Sequence, residues 1–253
     1  MAKVKSFLRL QGSMGETTFL KDGNGPNYRA QDKLVISKDR FKSSPSFARV
    51  RENASEFARA GAAGKLIRSS VNSLWQGIKD NTRSRRMFSK IMAVIKSDVA
   101  SPRGHRNLVD GDIGILKKFP INGGAHIETV FNAPIVSTID RVAGHVAVTI
   151  APFNPLLEVK APAGATHFQF QAAGSEIDFE KLEYKSDIQK SAQLPYTAAP
   201  TAAITLTCAM PANSTRPLLQ FFGISFFQQV GTVMYPVLDA SYNPLVILDA
   251  TKV

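Results

Sequence analysis

The sequence predicts an α+β protein in which short N-terminal strands and basic amphipathic helices precede an antiparallel β-sandwich, immunoglobulin-like or jelly-roll-like. Apolar residues recur at helical spacing between Phe47 and Ile95, and they alternate with polar residues from Val146 onward. The charge divides the chain in a similar way, because residues 1–107 hold 22 Lys and Arg against 8 Asp and Glu, and residues 108–253 hold 9 against 12. We therefore expect two domains, a basic hairpin and helical region over 1–107 and the sandwich over 108–253.

The N-terminal region has the pattern of short strands separated by turns. Residues 4–10 suit an extended conformation, residues 12–15 contain two glycines in a turn pattern, and residues 16–20 suit a second strand. Residues 22–26 contain the turn sequence Asp-Gly-Asn-Gly-Pro. We expect a small hairpin layer here.

Helical periodicity begins after Ser44, which can cap a helix with Pro45 at its first position. Gly61 and Gly64 lie inside the helical pattern, so they indicate either a bend or close packing of one helix on another. The apolar residues that define the helix faces are Leu66, Ile67, Val71, Leu74, Trp75 and Ile78, followed by Met87, Ile91, Val94 and Ile95.

The second half has the alternating pattern of half-buried strands. The run 218–227 is apolar on both faces, which is typical of a central strand covered on both sides, and further strands are expected over 233–237 and 245–248. Without helical crossovers, these strands predict an antiparallel sandwich. The alternating residues are Val146, Val148 and Ile150, Phe168 and Phe170, Ile177 and Phe179, and Ile204, Leu206 and Cys208. Those assigned to the sandwich core or a subunit contact are Phe221, Phe222, Phe226, Phe227 and Tyr235.

No motif in the chain has the spacing that a known catalytic, cofactor or metal site requires. Residues 61–65 resemble a phosphate-binding loop, but too few residues separate the glycines and no Ser or Thr follows Lys65. Residues 110–114 resemble the start of a calcium loop whose last ligand would be Ile121 in place of Glu. The histidines lack zinc-binding spacing, and Cys208 is expected to be a buried hydrophobic residue. We expect a non-enzymatic protein with no catalytic residue, no cofactor and no metal.

A cluster of basic residues is the strongest functional signal. Its acidic neighbours are few, namely Asp80 and Asp98, although a solvated helix face would have a similar pattern. Such cations suit phosphate contacts without base-specific recognition, and they equally suit an acidic face of a neighbouring subunit. The residues predicted to contact an anionic partner or a subunit are Arg51, Arg59, Arg68, Arg83, Arg85, Arg86, Lys90, Arg103 and Arg106.

Several segments resemble a family of uncharacterised Bacteroidota proteins of similar length. These are Gly-Ser-Met-Gly at 12–15, Arg-Glu-Asn-Ala-Ser-Glu-Phe at 51–57 with its continuation to Arg68, and Arg-Gly-His-Arg-Asn at 103–107. The resemblance extends to 167–168 and 177–179, and Ala58 stands where the family pattern has Gly. It implies a bacterial or phage-associated setting, and it implies no activity and no catalytic residue.

The sequence thus favours a structural protein that self-assembles into a filament, a shell or a surface-type assembly. We expect a homo-oligomer, because short strands and an aromatic-rich sandwich suit subunits that pair strand edges. The alternative is a nucleic-acid-binding module whose basic helices contact the phosphate backbone, including a coat protein that packages a genome. The N-terminus lacks the apolar core of a secretory signal and no apolar run spans a membrane, so we expect cytoplasmic synthesis. The final location is left open and includes a virion or an extracellular assembly.

Overall fold

A computed structural model describes residues 2–4, 11–21, 28–33, 36–237 and 239–252. It divides into two compact units, Met1–Arg51 and Glu52–Val253. Of the N-terminal predictions, most of the extended segment at 4–10 and the turn at 22–26 lie outside the described residues.

The first unit contains an antiparallel sheet with strand order β1–β4–β3–β2. A short helix, α1 (Lys38–Ser43), follows the sheet, and the Ser37 side chain caps it by accepting a hydrogen bond from the Arg40 amide. The predicted helix start is a 3₁₀ turn, Pro45–Phe47, with Ser44 at its N-cap and Pro at its first position. The strands are β1 (Ala2–Val4), β2 (Gly12–Met14), β3 (Thr17–Lys21) and β4 (Tyr28–Asp32).

The helices that follow are α2 (Ala48–Ser70), α3 (Asn72–Gln76) and α4 (Arg83–Ser97). The apolar face predicted from Leu66 onward is buried, including Ile67, Trp75 and Ile91, but Val50 and Phe57, which have the same helical spacing near the start of α2, are 50% and 52% exposed. At Gly64, an added Cβ would lie 3.3 Å from the Ile91 side chain, so this glycine permits close packing of α2 on α4. The helix α2 continues through both glycines, but an added Cβ at Gly61 would meet nothing within 4 Å, so close packing explains Gly64 alone.

The rest of the second unit is mainly antiparallel strands. The large sheet has the order β10–β8–β12–β14–β5, with β9 also paired to β8 and β13 to β12, and the small sheet has the order β11–β7–β6. The elements are β5 (Phe119–Pro120), α5 (Ile127–Val130), β6 (Ile135–Asp140), β7 (His145–Ile150), α6 (Pro155–Glu158), β8 (His167–Asp178), β9 (Glu183–Lys190), β10 (Leu194–Pro195), β11 (Ile204–Ala209), β12 (Leu218–Val230), β13 (Val233–Pro236) and β14 (Leu245–Thr251). Short 3₁₀ turns lie at Ile113–Leu116 and Ala240–Tyr242.

The strand β12 is covered on both faces, as its sequence predicts. Phe221 packs in a cluster with the helices α2, α3 and α4, whereas Phe222 packs in a second cluster with β7 and β11 of the small sheet. Phe226 is buried as well, but Tyr235 on β13 is exposed. The second unit thus has helices on one face of the large sheet and the small sheet on the other.

This layered core places the predicted boundary at residues 107 and 108 inside the second unit. The helices bury their apolar faces against Ala173, Leu219 and Ile247 of the large sheet, so helices and sheets share one core. The basic helices are therefore a layer of the same compact unit that contains the strands. Mixed α+β architecture is confirmed. No helix within the described ranges is long and apolar enough to cross a membrane.

Candidate functional site

Two of the predicted contact residues, Arg51 and Arg59, hold backbone segments together. Arg51 donates from Nη1 to the carbonyl oxygens of Phe41, at 2.7 Å, and Ser44, at 2.9 Å, where α1 ends. Arg59 donates from Nη1 to the carbonyl oxygens of Gly104, at 2.8 Å, and Arg106, at 2.9 Å. These carbonyl groups accept hydrogen bonds from a charged donor, so both arginines have a role in folding.

Arg83 and Arg86, near the start of α4, are used in a similar way. Arg83 donates from Nη1 to the carbonyl oxygens of Trp75, at 2.7 Å, and Ile78, at 2.5 Å, and its guanidinium lies 5.2 Å from the centre of the Trp75 ring. Arg86 pairs with Asp80 at 2.6 Å and donates to the carbonyl oxygens at positions 120 and 121. The first turn of α4 therefore ties the chain before the helix to the strand β5.

Four of the five remaining members of the predicted set face solvent. Arg68, Arg85, Lys90 and Arg103 are exposed, whereas Arg106 is half-buried. Within the part of the chain that the structure describes, these four exposed side chains form neither a hydrogen bond nor a salt bridge with the protein. Their charge is available to a partner, whereas that of Arg51, Arg59, Arg83 and Arg86 is largely directed inward.

Arg68 lies at a groove between α2 and α4, here called the α2–α4 groove. Residues 61, 64, 65 and 68 lie on one face of α2 because they are separated by three, one and three positions. The groove has a volume of about 160 Å³, and Lys65 and Arg68 provide its charged side chains. Its lining residues are Ala60, Gly61, Gly64, Lys65, Arg68, Trp75, Ser84, Met87 and Phe88.

A second surface, the β6 edge, was not predicted from the sequence. The strand β6 ends the small sheet and, among the described residues, pairs with β7 alone. Ile135 and Ile139 pack on the core, whereas Val136 is 56% exposed. The available signal is a run of β-branched residues between Pro134 and the turn that begins at residue 141.

The β6 edge lacks the features that usually prevent strand edges from pairing. Its residues, Ile-Val-Ser-Thr-Ile-Asp, contain no Lys and no Pro, and its register with β7 is continuous from residue 135 to 140. By contrast, β9 at an edge of the large sheet contains Glu183, Lys185, Asp187 and Lys190. Charged side chains, proline and bulges are the devices that protect natural edges, so β9 is protected along its length, whereas β6 has a charge only at its last residue, Asp140.

The outer face of the small sheet extends this surface with small, mostly uncharged side chains. The registers place Val136, Thr149 and Thr205 in one row across the sheet, and the Thr149 and Thr205 hydroxyl groups lie 3.3 Å apart. The next row is Thr138, Ala147 and Thr207. Such a face can pack against another sheet without desolvating a charge.

Searches against protein-family models, curated proteins and solved structures find no match for this chain. Its functional assignment therefore depends on the geometry of these surfaces.

Cys208 and Asp112, the residues that could suggest a nucleophile or a calcium ligand, are part of the packing and the turns of the fold. Cys208 is fully buried, and burial, together with the charge of Asp187, raises the pKa of its thiol to about 11. A thiol with this pKa stays protonated near neutral pH and is a poor nucleophile. The Asp112 carboxylate accepts a hydrogen bond from the Gly114 amide and caps the turn Ile113–Leu116. In the described ranges, His, Cys, Asp and Glu form no cluster of three or more that could hold a metal ion.

Proposed function

We propose that this chain is a non-enzymatic structural protein that self-assembles through the β6 edge into a filament, a shell or a surface-type assembly. The observation that carries the proposal is the contrast between the unprotected β6 and the charged β9. A strand edge presents backbone N–H and C=O groups at alternate residues, and a strand from a second copy can pair with them. β6 is the natural acceptor because no charge has to be desolvated along most of its length.

The chemistry of β6 favours pairing with another strand over exposure to water. Four of its six residues are Ile, Val or Thr, which are the residue types that stabilise strand pairs. Val136 and Thr138 face outward, so an added strand would bury them against its own side chains. Segments of about six residues with high β propensity and low net charge are those that associate most readily, and β6 has one charged residue, Asp140.

The sandwich architecture is part of this proposal. The large and small sheets share one apolar cluster, in which Phe170 and Phe222 of the large sheet pack with Val148 and Cys208 of the small sheet. This common core supports a β-sandwich of immunoglobulin-like or jelly-roll-like kind. In such a sandwich the β6 edge lies at the rim of the layer, where a second subunit can extend the sheet.

The non-enzymatic part of the proposal is supported by the uses of the polar groups. Ser214 donates to Glu176, Ser70 and Ser175 are paired at 3.0 Å, and Asn122 donates to the carbonyl oxygens of Ser241 and Asn243. Each interaction satisfies a polar group in or beside the core, which is the usual requirement of folding.

Sedimentation velocity and negative-stain imaging of the purified protein test the assembly. We expect oligomers whose size increases with protein concentration, and we expect the double variant Val136→Lys/Thr138→Lys to remain monomeric. Both side chains are exposed, so the lysines can reach water without disturbing the core, while they protect the edge.

A matched control places the same change on the other edge. Tyr184→Lys/Ser186→Lys adds two lysines to exposed positions of β9, which is already charged, and assembly should persist. A wild-type protein that stays monomeric at all concentrations would overturn the proposal. An equal loss of assembly in both double variants would show that net charge, and not the β6 edge, controls association.

A further inference from the structure

The α2–α4 groove has two cations that form no salt bridge with any acidic residue that the structure describes. Lys65 and Arg68 are both exposed, and the acidic residues of α2, Glu52 and Glu56, are not among the residues that line the groove. Glu56 is buried and accepts a hydrogen bond from the Gly104 amide, so its charge is already used. Both charges are therefore accessible to a ligand.

A like charge also lies close to the groove. Burial lowers the pKa of Arg83, the charge of Asp80 raises it, and the positive charge of Arg68 lowers it further. Arg68 therefore lies near Arg83, whose charge is already balanced within the protein by Asp80, so the Arg68 charge adds to a locally positive surface.

Aromatic rings extend the groove at its other end. Phe88 lines the groove, and the ring of Phe57, one helix turn from Gly61 on α2, lies 5.9 Å from that of Phe88. Phe57 is 52% exposed although it is large and apolar. A flat ring at the surface beside cations is the arrangement that binds single-stranded nucleic acids, in which bases stack and phosphates pair with charges.

We propose that the α2–α4 groove binds single-stranded nucleic acid, with Lys65 and Arg68 on the phosphates and the exposed ring of Phe57, supported by Phe88, under a base. Arg85, exposed and next to the groove residue Ser84, extends the path of the backbone. The volume of about 160 Å³ lies below the roughly 300–1,000 Å³ of pockets for whole small ligands, so the groove suits one unit of an extended polymer.

Single-stranded rather than double-stranded nucleic acid fits these residues. In a duplex the bases are stacked on one another, and the side chain of Phe57 could not contact a base face without distorting the helix. An acidic face of a second subunit would use the two cations equally well, but it would leave the exposed Phe57 ring without a stacking partner. The aromatic pair therefore distinguishes the two occupants.

Fluorescence anisotropy with a labelled oligo-dT tests this proposal across a salt series. We expect Lys65→Gln/Arg68→Gln to weaken binding by at least about tenfold, as the loss of two charged contacts implies. The loss of both phosphate contacts should also reduce the slope of log affinity against log salt concentration by about 1.4, because each contact with a single strand contributes about 0.7. Phe57→Leu should weaken binding about fivefold or more through lost stacking, with an unchanged salt slope.

The control variant Lys185→Gln/Lys190→Gln removes the same charge from exposed positions of β9 and should bind like the wild type. Equal weakening by this control would overturn the proposal, since it would show attraction by net charge alone. If a duplex bound as tightly as oligo-dT, or if the Phe57→Leu variant kept full affinity, the proposal that a base stacks on Phe57 would be wrong. Loss of self-assembly in Lys65→Gln/Arg68→Gln, without loss of oligo-dT binding, would assign the groove to a subunit contact.

Discussion

Arg59 on α2 donates a hydrogen bond from Nη1 to the carbonyl oxygen of Gly104 at 2.8 Å, across 45 residues of chain. The Gly104 amide in turn donates to Glu56 Oε1 at 2.8 Å, and the second Arg59 bond goes to the carbonyl oxygen of Arg106. Both segments belong to those that carry the resemblance described from the sequence. Their motifs therefore form one packed junction, in which a helix fixes the loop that follows α4.

Loss of the Arg59 guanidinium should destabilise the second unit. Arg59→Met leaves the carbonyl oxygens of Gly104 and Arg106 without their charged donor, and we expect a loss of about 2–4 kcal/mol in the free energy of unfolding. Urea denaturation measures this change. Arg103→Met, at an exposed position in the same loop, should change stability by no more than about 0.5 kcal/mol. Equal effects would contradict a structural role for Arg59.

Replacement of Gly104 and of Gly61 by alanine should change the free energy of unfolding in opposite directions. Gly104 has a φ of +83°, and an added Cβ would lie 2.9 Å from Glu52 Cγ, so Gly104→Ala should cost about 1–3 kcal/mol. Gly61 lies inside α2, where an added Cβ meets nothing within 4 Å, so Gly61→Ala should stabilise by about 0.5–1 kcal/mol. Thermal unfolding of the two variants gives both signs. Stabilisation by Gly104→Ala would show that the loop adopts another conformation.

Asp80 should make stability depend on pH in the acid range. Burial alone raises the pKa of Asp80, but hydrogen bonds from the Gly123 amide, Thr82 and Arg86 outweigh it and hold the pKa well below its ordinary 3.8. The carboxylate therefore stabilises the folded state above about pH 4–5, and this contribution is lost as the pH falls toward the folded pKa. Urea unfolding at a series of acidic pH values measures the slope.

The variant Asp80→Asn is the comparison for this slope. It should be less stable than the wild type near neutral pH, and the difference between the two proteins should shrink as the pH falls below about 4. Other aspartates with lowered pKa, such as Asp98 and Asp178, are present in both proteins and cancel. If the difference in the free energy of unfolding between the two proteins stayed constant across the pH series, the negative charge of Asp80 would not contribute to stability.

Helices and sheets of the second unit should unfold together. Trp75, the single tryptophan, is buried in the helix layer, and that layer shares its core with β8, β12 and β14. We therefore expect the Trp75 fluorescence transition to coincide with the near-UV circular dichroism transition of the tyrosines and phenylalanines in urea. Two separated transitions would support an independent helical domain ending at residue 107.

Some features could be predicted from the sequence because they depend on local spacing. The apolar faces of α2 and α4 follow from the helical period, and the position of β12 between two layers follows from a run that is apolar at odd and even positions. The burial of Cys208 follows in the same way from alternation in β11. In each case the residues that determine the element are its own.

Only the tertiary structure determines which basic side chains are exposed and which strand lies at an unpaired edge of a sheet. The carbonyl groups that accept hydrogen bonds from Arg59 and Arg86 lie more than 30 residues away in the chain, so spacing cannot distinguish these arginines from the exposed Arg68 and Lys90. Strand order is likewise non-local, because β6 becomes an edge only when β7 pairs with β11 on its other side. A local pattern specifies which face of an element is apolar, but contacts between distant segments determine which charges and which backbone groups remain exposed.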